Sequence, residues 1–410
     1  MASLTDPTFS KYQPYQARQY AQARLSYTPQ LYDAVVNHHI TTGGQLNVLA
    51  DIGCGPGNAT RDLATSFDNA IGLDPGAEMI NTAIESAGLT RNDQPIKYAV
   101  CPAENIVHGI RESFPAAKEY GGVDLLTAAM AAHWFDMPKF WAEACHIVKP
   151  RGTVALWTSA SLYCHPSTPN AAEVQKALFH LERDVLAPYE LPSNRISRDL
   201  YDNLILPWQT NDEEAANAFP ISEFQRLEWD RDGVLSDGKQ FFNYSDGKTP
   251  DEMERGLGTA SMVTRWREAN PELVGTERDC VKHAMGQVRL ALGVRDGENP
   301  KINFGSATVI LLFKRKKGNQ TEMRDKDDET CLGRKSQIES LWLVSVHSGT
   351  LLPAGSGQAF GRAAIVRGDG GLGGLKLVPN RFGFRLTRGP RRRFIFGASG
   401  KRRDHFEVAT

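Results

Sequence analysis

Short apolar runs alternate with segments of helical periodicity over the first 160 residues of the chain. The runs have the length and β-branched content of buried strands, and the segments between them repeat apolar positions every three to four residues. Strands joined by helices form parallel sheets with helices on both faces, so this order predicts an α/β fold with a doubly wound, mostly parallel sheet. The predicted strands are 47–52, 70–74, 96–100, 123–130 and 152–159, and the predicted helices are 58–67, 76–87 and 138–148.

The regular alternation stops after residue 160. Val174, Leu178 and Leu181 lie along one face of a predicted helix at 171–187, and further helical patterns occupy about 251–269 and 272–292. Aromatic-rich connections separate them, so we expect a helical cap over the strand tips, followed by a last strand at 307–314. We expect a seven-stranded Rossmann-like sheet, of which the pattern locates these six strands. The expected divisions are an N-terminal helical segment at 1–45, a core at 46–160, the cap at 161–300, the final strand at 301–317 and a tail at 318–410.

The tail differs from the rest of the chain in its charge. Residues 318–410 hold 16 Lys and Arg against 9 Asp and Glu, whereas residues 1–317 hold 31 against 39. The tail also carries a glycine-rich run at 368–374 and no sustained periodicity, which predicts disorder; a mistaken gene model is the alternative. The chain shows neither a signal peptide nor an apolar stretch of membrane-spanning length, so we expect a soluble, cytoplasmic protein without membrane contact.

The first strand runs into a glycine-rich loop with an acidic residue at the strand tip. The sequence VLADIGCGPGN spans residues 48–58, with Asp51 before the glycines, and a second strand ends at Asp74. A dinucleotide loop has its third glycine where this chain has Asn58, and a carboxylate at Asp51 would repel a pyrophosphate but attract ammonium and sulfonium charges. These features favour S-adenosylmethionine as the cofactor. The alternative is that Asp51 only holds loop N–H groups while the glycines serve a tight turn.

Other candidate residues follow the next strands of the predicted sheet. Ala103 and Glu104 come after the third strand, and the segment from Ala128 to Trp134 comes after the fourth. Ligands on parallel sheets bind at the carboxyl ends of the strands, so these positions should meet Asp51 and Asp74 at one edge.

With these motifs the chain resembles the class I S-adenosylmethionine-dependent methyltransferases, and among them the small-molecule group that includes the trans-aconitate methyltransferases. The resemblance covers roughly residues 10–317. It is carried by DIGCGPGN at 51–58, GLDPGAEMI at 72–80, CPAEN at 101–105, VDLLTAAMAAHWFD at 123–136 and GTVALWTSA at 152–160.

The resemblance implies a role for each matching position. Asp51, Gly53, Gly55 and Gly57 would face the methionine part of the cofactor, and Asp74 the ribose. Ala103 and Glu104 would meet the adenine edge, and Ala128 and Ala129 would form the pocket floor. His133 and Trp134 could line the substrate side, or equally be a structural histidine and a core aromatic.

The N-terminal segment departs from the family. Members often carry Arg-Pro-x-Tyr-Pro there, and this chain keeps Arg24 and Tyr27 but neither proline. We therefore treat both residues as substrate-side candidates in a segment that would close over the cofactor.

Charge and motifs also bear on the substrate. An acidic body offers no positive groove for phosphates, so a small organic molecule, such as a secondary metabolite, is expected rather than nucleic acid. The six cysteines lack the short spacings of metal sites, so no metal is expected. The sequence carries no signal for an oligomeric state.

Two mechanisms and two further function classes stay open. An ionised carboxylate acceptor needs no general base, whereas a phenol or alcohol needs one, for which His133 is the candidate. The O-methylation of a carboxylate or hydroxyl is therefore expected. The alternatives are a non-catalytic S-adenosylmethionine-binding regulatory or partner protein, and a nicotinamide oxidoreductase, which the glycine spacing disfavours.

Overall fold

The computed structural model describes most of the chain up to residue 317 and four short segments beyond it. The described residues are Phe9, 12–23, 27–295, 298–317, 364–367, 375–378, 384–388 and 394–398. The four last segments are strands that form two antiparallel pairs within a separate unit, Asp328–Thr410. The sequence predicted disorder for 318–410. Apart from these four strands, that prediction falls on residues outside those that the structure describes.

One eight-stranded sheet organises the larger unit. Its order is β3-β2-β1-β4-β5-β8-β6, and β7 pairs with β8 beside this path. The first five strands are parallel, and β8 runs antiparallel to β5, β6 and β7. The predicted doubly wound, mostly parallel Rossmann-like sheet is therefore confirmed, but it has eight strands and not the expected seven, because both β6 and β7 pair with β8. The strands are β1 Val48–Ile52, β2 Asn69–Asp74, β3 Lys97–Val100, β4 Val123–Ala129, β5 Val148–Cys164, β6 Phe224–Trp229, β7 Asn243–Lys248 and β8 Ile302–Lys314.

Helices cover both faces of the sheet because alternate strand residues point to opposite sides. In β1, Val48, Ala50 and Ile52 belong to one hydrophobic core and Leu49 to the other. The described helices are Pro14–Ala23, Pro29–Thr41, Asn58–Ala64, Ala77–Ser86, Ile106–Ser113, Pro115–Glu119, Met137–Ile147, Ala171–His180, Pro192–Arg198, Glu213–Ala218, Pro250–Leu257, Ser261–Ala269 and Cys280–Leu292. None of them is long and apolar enough to cross a membrane.

The stretch between β5 and β8 contains the predicted helical cap with a core of its own. Val174, Leu178, Val281 and Met285 pack there against Phe304 of β8. The same stretch also supplies β6 and β7 to the sheet edge, which the sequence pattern did not predict. The cap is therefore continuous with the sheet through the long strand β8.

Two predicted cap helices are shorter than their patterns. The pattern at 251–269 is two helices, because Ala260 is extended and the second helix begins at Ser261. The pattern at 272–292 holds a helix only from Cys280, where the Asp279 side chain accepts a hydrogen bond from the Val281 N–H.

Candidate functional site

A cavity of about 690 Å³ opens at the carboxyl ends of the parallel strands, between the N-terminal segment and the cap. The strand order reverses between β1 and β4, and crevices at such reversals are the usual ligand sites of open α/β sheets. On the sheet side the cavity is lined by Gly53, Cys54, Gly55, Pro56, Asn58, Ala59, Asp74, Pro75, Met79, Pro102, Ala103, Glu104, Ala129, Met130, Ala131, Trp134 and Phe135.

The glycine loop brings bare backbone to the cavity wall. Gly53 has a φ of +65°, and a β-carbon there would lie 2.5 Å from the Ala131 β-carbon. Gly55 has a φ of +54°, and a β-carbon there would meet no atom within 4 Å. The first glycine is thus required by packing, whereas the second leaves open space in which a ligand can approach the backbone. Gly57 begins the helix Asn58–Ala64 and does not line the cavity.

Asp74 connects this loop to the end of β2. Its Oδ2 accepts a hydrogen bond from the Gly55 N–H at 2.9 Å, and its Oδ1 accepts one from the Gly76 N–H at 2.8 Å. Burial raises the pKa of the carboxyl to about 6, although the two N–H donors oppose the rise. Asp74 lines the cavity, and each of its oxygens keeps a lone pair for a hydroxyl donor.

Asp51 lies behind the loop and not on the cavity wall. Its side chain is fully buried and accepts hydrogen bonds from Thr60 Oγ1 at 2.6 Å and Thr127 Oγ1 at 2.7 Å. Burial raises its pKa to about 6, against the effect of the two hydroxyl donors. These contacts join β1, β4 and the helix after the loop.

Of the candidate residues at the ends of β3 and β4, three line the cavity and Ala128 does not. Ala103 and Glu104 line the cavity, and Glu104 Oε1 accepts a hydrogen bond from the Asp136 N–H at 2.8 Å. Ala129 also lines it, whereas Ala128 is buried in the core under the sheet. Successive strand residues point to opposite faces, so only one of the two alanines can reach the cavity.

Of the neighbours His133 and Trp134, only Trp134 lines the cavity. Its ring meets the Phe9 ring edge-on at 6.2 Å. His133 is 5 % exposed, its Nδ1 lies 3.2 Å from the Tyr201 hydroxyl, and its ring lies 4.8 Å from the Trp134 ring. His133 is therefore packed behind Trp134.

The N-terminal segment covers the cavity with aromatic side chains. Phe9, Tyr20 and Tyr27 line it, and Tyr27 packs edge-on against Trp157 at 5.6 Å. Arg24 lies outside the described residues.

The cap supplies a polar wall that the sequence did not predict. Asn243, Ser245, Lys248 and Arg255 of the cap line the cavity, together with Ser159 of β5. Most of them come from β7 and the helix that follows. The composition of β7, NYSDGK, carries no strand signal that could have placed these side chains at the site.

The core of the chain matches a known family. Residues 50–156 match the methyltransferase domain family. Among curated proteins, the chain is 32 % identical over 142 residues to a putative methyltransferase of Dictyostelium discoideum, which covers 35 % of this chain and 46 % of that protein. It is 29 % identical over 143 residues to a probable S-adenosylmethionine-dependent methyltransferase of Saccharomyces cerevisiae. That match covers 35 % of this chain and 45 % of the yeast protein. The matched segments thus span less than half of these relatives.

A solved structure extends the likeness of fold to the cap. The chain aligns with a putative type II methyltransferase from Anaeromyxobacter dehalogenans at a TM-score of 0.50 and 24 % identity, which covers 72 % of this chain and 99 % of that one. The sheet and cap of this chain therefore follow a known methyltransferase fold.

Proposed function

We propose that this chain, whose residues 50–156 are a class I S-adenosylmethionine-dependent methyltransferase domain, transfers the cofactor's methyl group to a small organic molecule. The observation that carries the proposal is the position of Asp74. Its buried carboxylate holds the open Gly55 loop and lines a cavity to which the cap also contributes residues.

The residues around this cavity fit the cofactor. Asp74 would accept the ribose hydroxyls, and the open space beside Gly55 would admit the methionine part against backbone groups. Ala103 and Glu104 would lie against the adenine. When bound, S-adenosylmethionine supplies a methyl group on a sulfonium, which is a very good leaving group.

Asp51 takes an indirect part in this proposal. It is sealed from the cavity, so its carboxylate would hold Thr60 and Thr127 and thereby fix the loop. Its negative charge would still favour a cationic ligand at short range, because buried charges are poorly screened.

The remaining task of the protein is to align the acceptor and exclude water. The aromatic N-terminal segment and the cap would enclose the reacting groups, with Tyr27 and Trp134 on the wall. No histidine of the described residues lines the cavity, and the carboxylates that do, Asp74, Glu104 and Glu252, each already accept a hydrogen bond from a backbone N–H. This favours an acceptor that is already ionised, so we propose O-methylation of a carboxylate ahead of a hydroxyl, with His133 holding Trp134 in place.

Titration of the full chain with S-adenosylhomocysteine tests the cofactor site. We expect Asp74→Ala to weaken binding by about 10- to 100-fold, because hydrogen bonds to a charged group contribute about 1.5–3 kcal/mol each. Asp33→Ala, on the exposed face of the helix Pro29–Thr41, is the matched control and should bind like the wild type. Unchanged affinity in a folded Asp74→Ala variant would contradict the proposed site.

A further inference from the structure

The cap end of the cavity contains a buried hydroxyl without a partner. Ser245 is 8 % exposed and lines the cavity, and its Oγ has no hydrogen-bond partner within the part of the chain that the structure describes. A buried polar group left unpaired costs about 1–3 kcal/mol, so native proteins rarely keep one without use. The Oγ of Ser245 is therefore available to a ligand in the cavity.

Two cations line the same end. The Lys248 Nζ lies 4.0 Å from Glu252 Oε1, which is the outer limit of an ion pair. Glu252 Oε2 is already engaged, because it accepts hydrogen bonds from the N–H and the hydroxyl of Thr249 at the start of the helix Pro250–Leu257. Arg255 lies one turn after Glu252 in this helix. It has no ion pair among the described residues.

The backbone of β7 directs Ser245 and Lys248 to one cavity. Residues three positions apart in a regular strand point to opposite faces. The register of β7 against β8 shifts between Ser245 and Lys248, and Gly247 has a φ of +49°. A bulge of this kind re-aims the following side chain, so both polar groups line the cavity.

The charges of the cavity are divided between its ends. The acids Asp74 and Glu104 lie at the strand tips, where the cationic cofactor would bind. Among the described side chains that line the cap end, two cations face one carboxylate, Glu252, which is held by a helix cap. Met253 of the same helix and Phe304, which pairs with Ser245 across β7 and β8, also line the cavity and would pack against an apolar body. The cap end thus offers a hydroxyl donor, a surplus of positive charge and apolar contact.

We propose that Ser245, Lys248 and Arg255 bind a carboxylate of the substrate that is distinct from its methyl-accepting oxygen. This inference rests on the proposed methyltransferase function. It assigns the substrate to small bifunctional acids, which carry one carboxylate held by the cap and a second oxygen presented to the cofactor. The hydroxyl of Ser245 and the ammonium of Lys248 would each donate to the held carboxylate, with Arg255 adding charge at short range.

The test measures methyl transfer by the full chain from methyl-labelled S-adenosylmethionine. The acceptors are a panel of dicarboxylic acids and hydroxy acids, each beside its neutral amide, with 4-hydroxyphenylacetate and 4-hydroxyphenylacetamide as one pair. We expect methylation within the acid series and at least 10-fold lower kcat/KM for each amide.

The variants separate substrate binding from cofactor binding. Lys248→Gln with Arg255→Gln should raise the KM of the acid by about 10- to 100-fold, and Ser245→Ala by about 3- to 10-fold, from the strength of charged and neutral hydrogen bonds. The affinity for S-adenosylhomocysteine and the kcat should change by less than about threefold. The control is Lys176→Gln, which removes a lysine whose side chain is 80 % exposed outside the cavity.

Several results would overturn the inference. These are equal use of acids and amides, an unchanged KM in the double variant, or no methylation of any acid by a wild-type chain that binds S-adenosylhomocysteine. A wild-type chain that does not bind S-adenosylhomocysteine would instead remove the methyltransferase proposal on which the inference rests. Both cations are at least partly exposed, so the two single variants provide the same comparison if the double variant does not fold.

Discussion

Two buried carboxylates support the glycine loop from different sides. Asp74 binds the Gly55 N–H from the cavity side, and Asp51 binds two threonine hydroxyls from within the protein. Burial raises the pKa of both to about 6. The two residues should therefore respond differently to substitution: loss of Asp74 affects the ligand, and loss of Asp51 affects the fold.

The pH dependence of stability should reveal Asp51. Its pKa of about 6 in the folded chain exceeds the value of 3.8 expected on unfolding, so the folded chain binds the proton more tightly. The contribution of Asp51 to stability is therefore largest below about pH 4 and falls as the pH rises towards 6. Relative to Asp51→Asn, which does not titrate, the wild type should lose about 2–3 kcal/mol of unfolding free energy between pH 4 and pH 7. Urea unfolding at both pH values measures the difference, and a constant difference would contradict the burial of an ionisable group here.

Substitution of His133 should distinguish a positioning residue from a base. A general base must reach the proton that it removes, and His133 instead contacts Tyr201 and Trp134 behind the cavity wall. We expect His133→Gln to lower kcat less than about 10-fold and to leave the shape of the pH–rate profile unchanged. A fall in kcat of more than 100-fold, together with loss of the limb of the pH–rate profile near pH 6 to 7, would instead support His133 as the general base.

At the level of single residues, the sequence identified the edge of the sheet but not the direction of each side chain. The spacing of motifs placed Gly53, Asp74, Glu104 and Trp134 after successive strands, and all four line the cavity. Asp51, Gly57, Ala128 and His133 come from the same motifs and lie off the cavity wall. The difference depends on strand alternation and on tertiary packing, which a motif does not encode.

At the level of elements, the parallel core was predictable and the cap was predictable only in part. Buried parallel strands are mostly apolar on both faces, and β1 and β4 stand out as mostly apolar runs that are interrupted only by Asp51, Asp124 and Thr127. The strand β6 lies at the sheet edge, its residues are partly exposed, and β7 contains Asn, Asp and Gly, so neither shows a clear strand pattern. The substrate side of the cavity was missed because it is built on β7.

We propose that the helix Pro250–Leu257 connects the stability of the cap to substrate binding. Thr249 and Glu252 form a capping box at its first turn, and Lys248 and Arg255 flank it. We expect Thr249→Ala to destabilise the cap by about 1 kcal/mol and to raise the substrate KM while the affinity for S-adenosylhomocysteine stays the same. On one preparation, steady-state kinetics give the substrate KM and titration calorimetry gives the affinity for S-adenosylhomocysteine.

A matched cap on another helix provides the control. Asp212 caps the helix Glu213–Ala218 by accepting a hydrogen bond from the Ala215 N–H, and neither Asp212 nor this helix lines the cavity. Asp212→Ala should therefore cost a similar amount of stability without changing KM. An equal rise of KM in both variants would mean that general destabilisation, and not the cap helix, controls substrate binding.

At the level of the whole molecule, the cavity is formed by segments far apart in sequence. The N-terminal helices, the strand tips of the core and the cap contribute walls that extend from Phe9 to Ser306. The methyltransferase family match covers only residues 50–156 of this range. The residues proposed to bind the cofactor thus lie in the matched segment, and the walls that would select the substrate come mostly from the segments on either side of it.

The most direct test of this account is transfer of label from methyl-labelled S-adenosylmethionine to small carboxylic acids by the full chain, followed by treatment of each product with mild base. The account predicts a product whose label is released by base, as for a methyl ester, and loss of that product in Asp74→Ala. A base-stable product would contradict the carboxylate acceptor. The absence of any labelled acid from a chain that binds S-adenosylhomocysteine would contradict the carboxylic-acid substrate, whereas failure to bind S-adenosylhomocysteine would contradict the methyltransferase function itself.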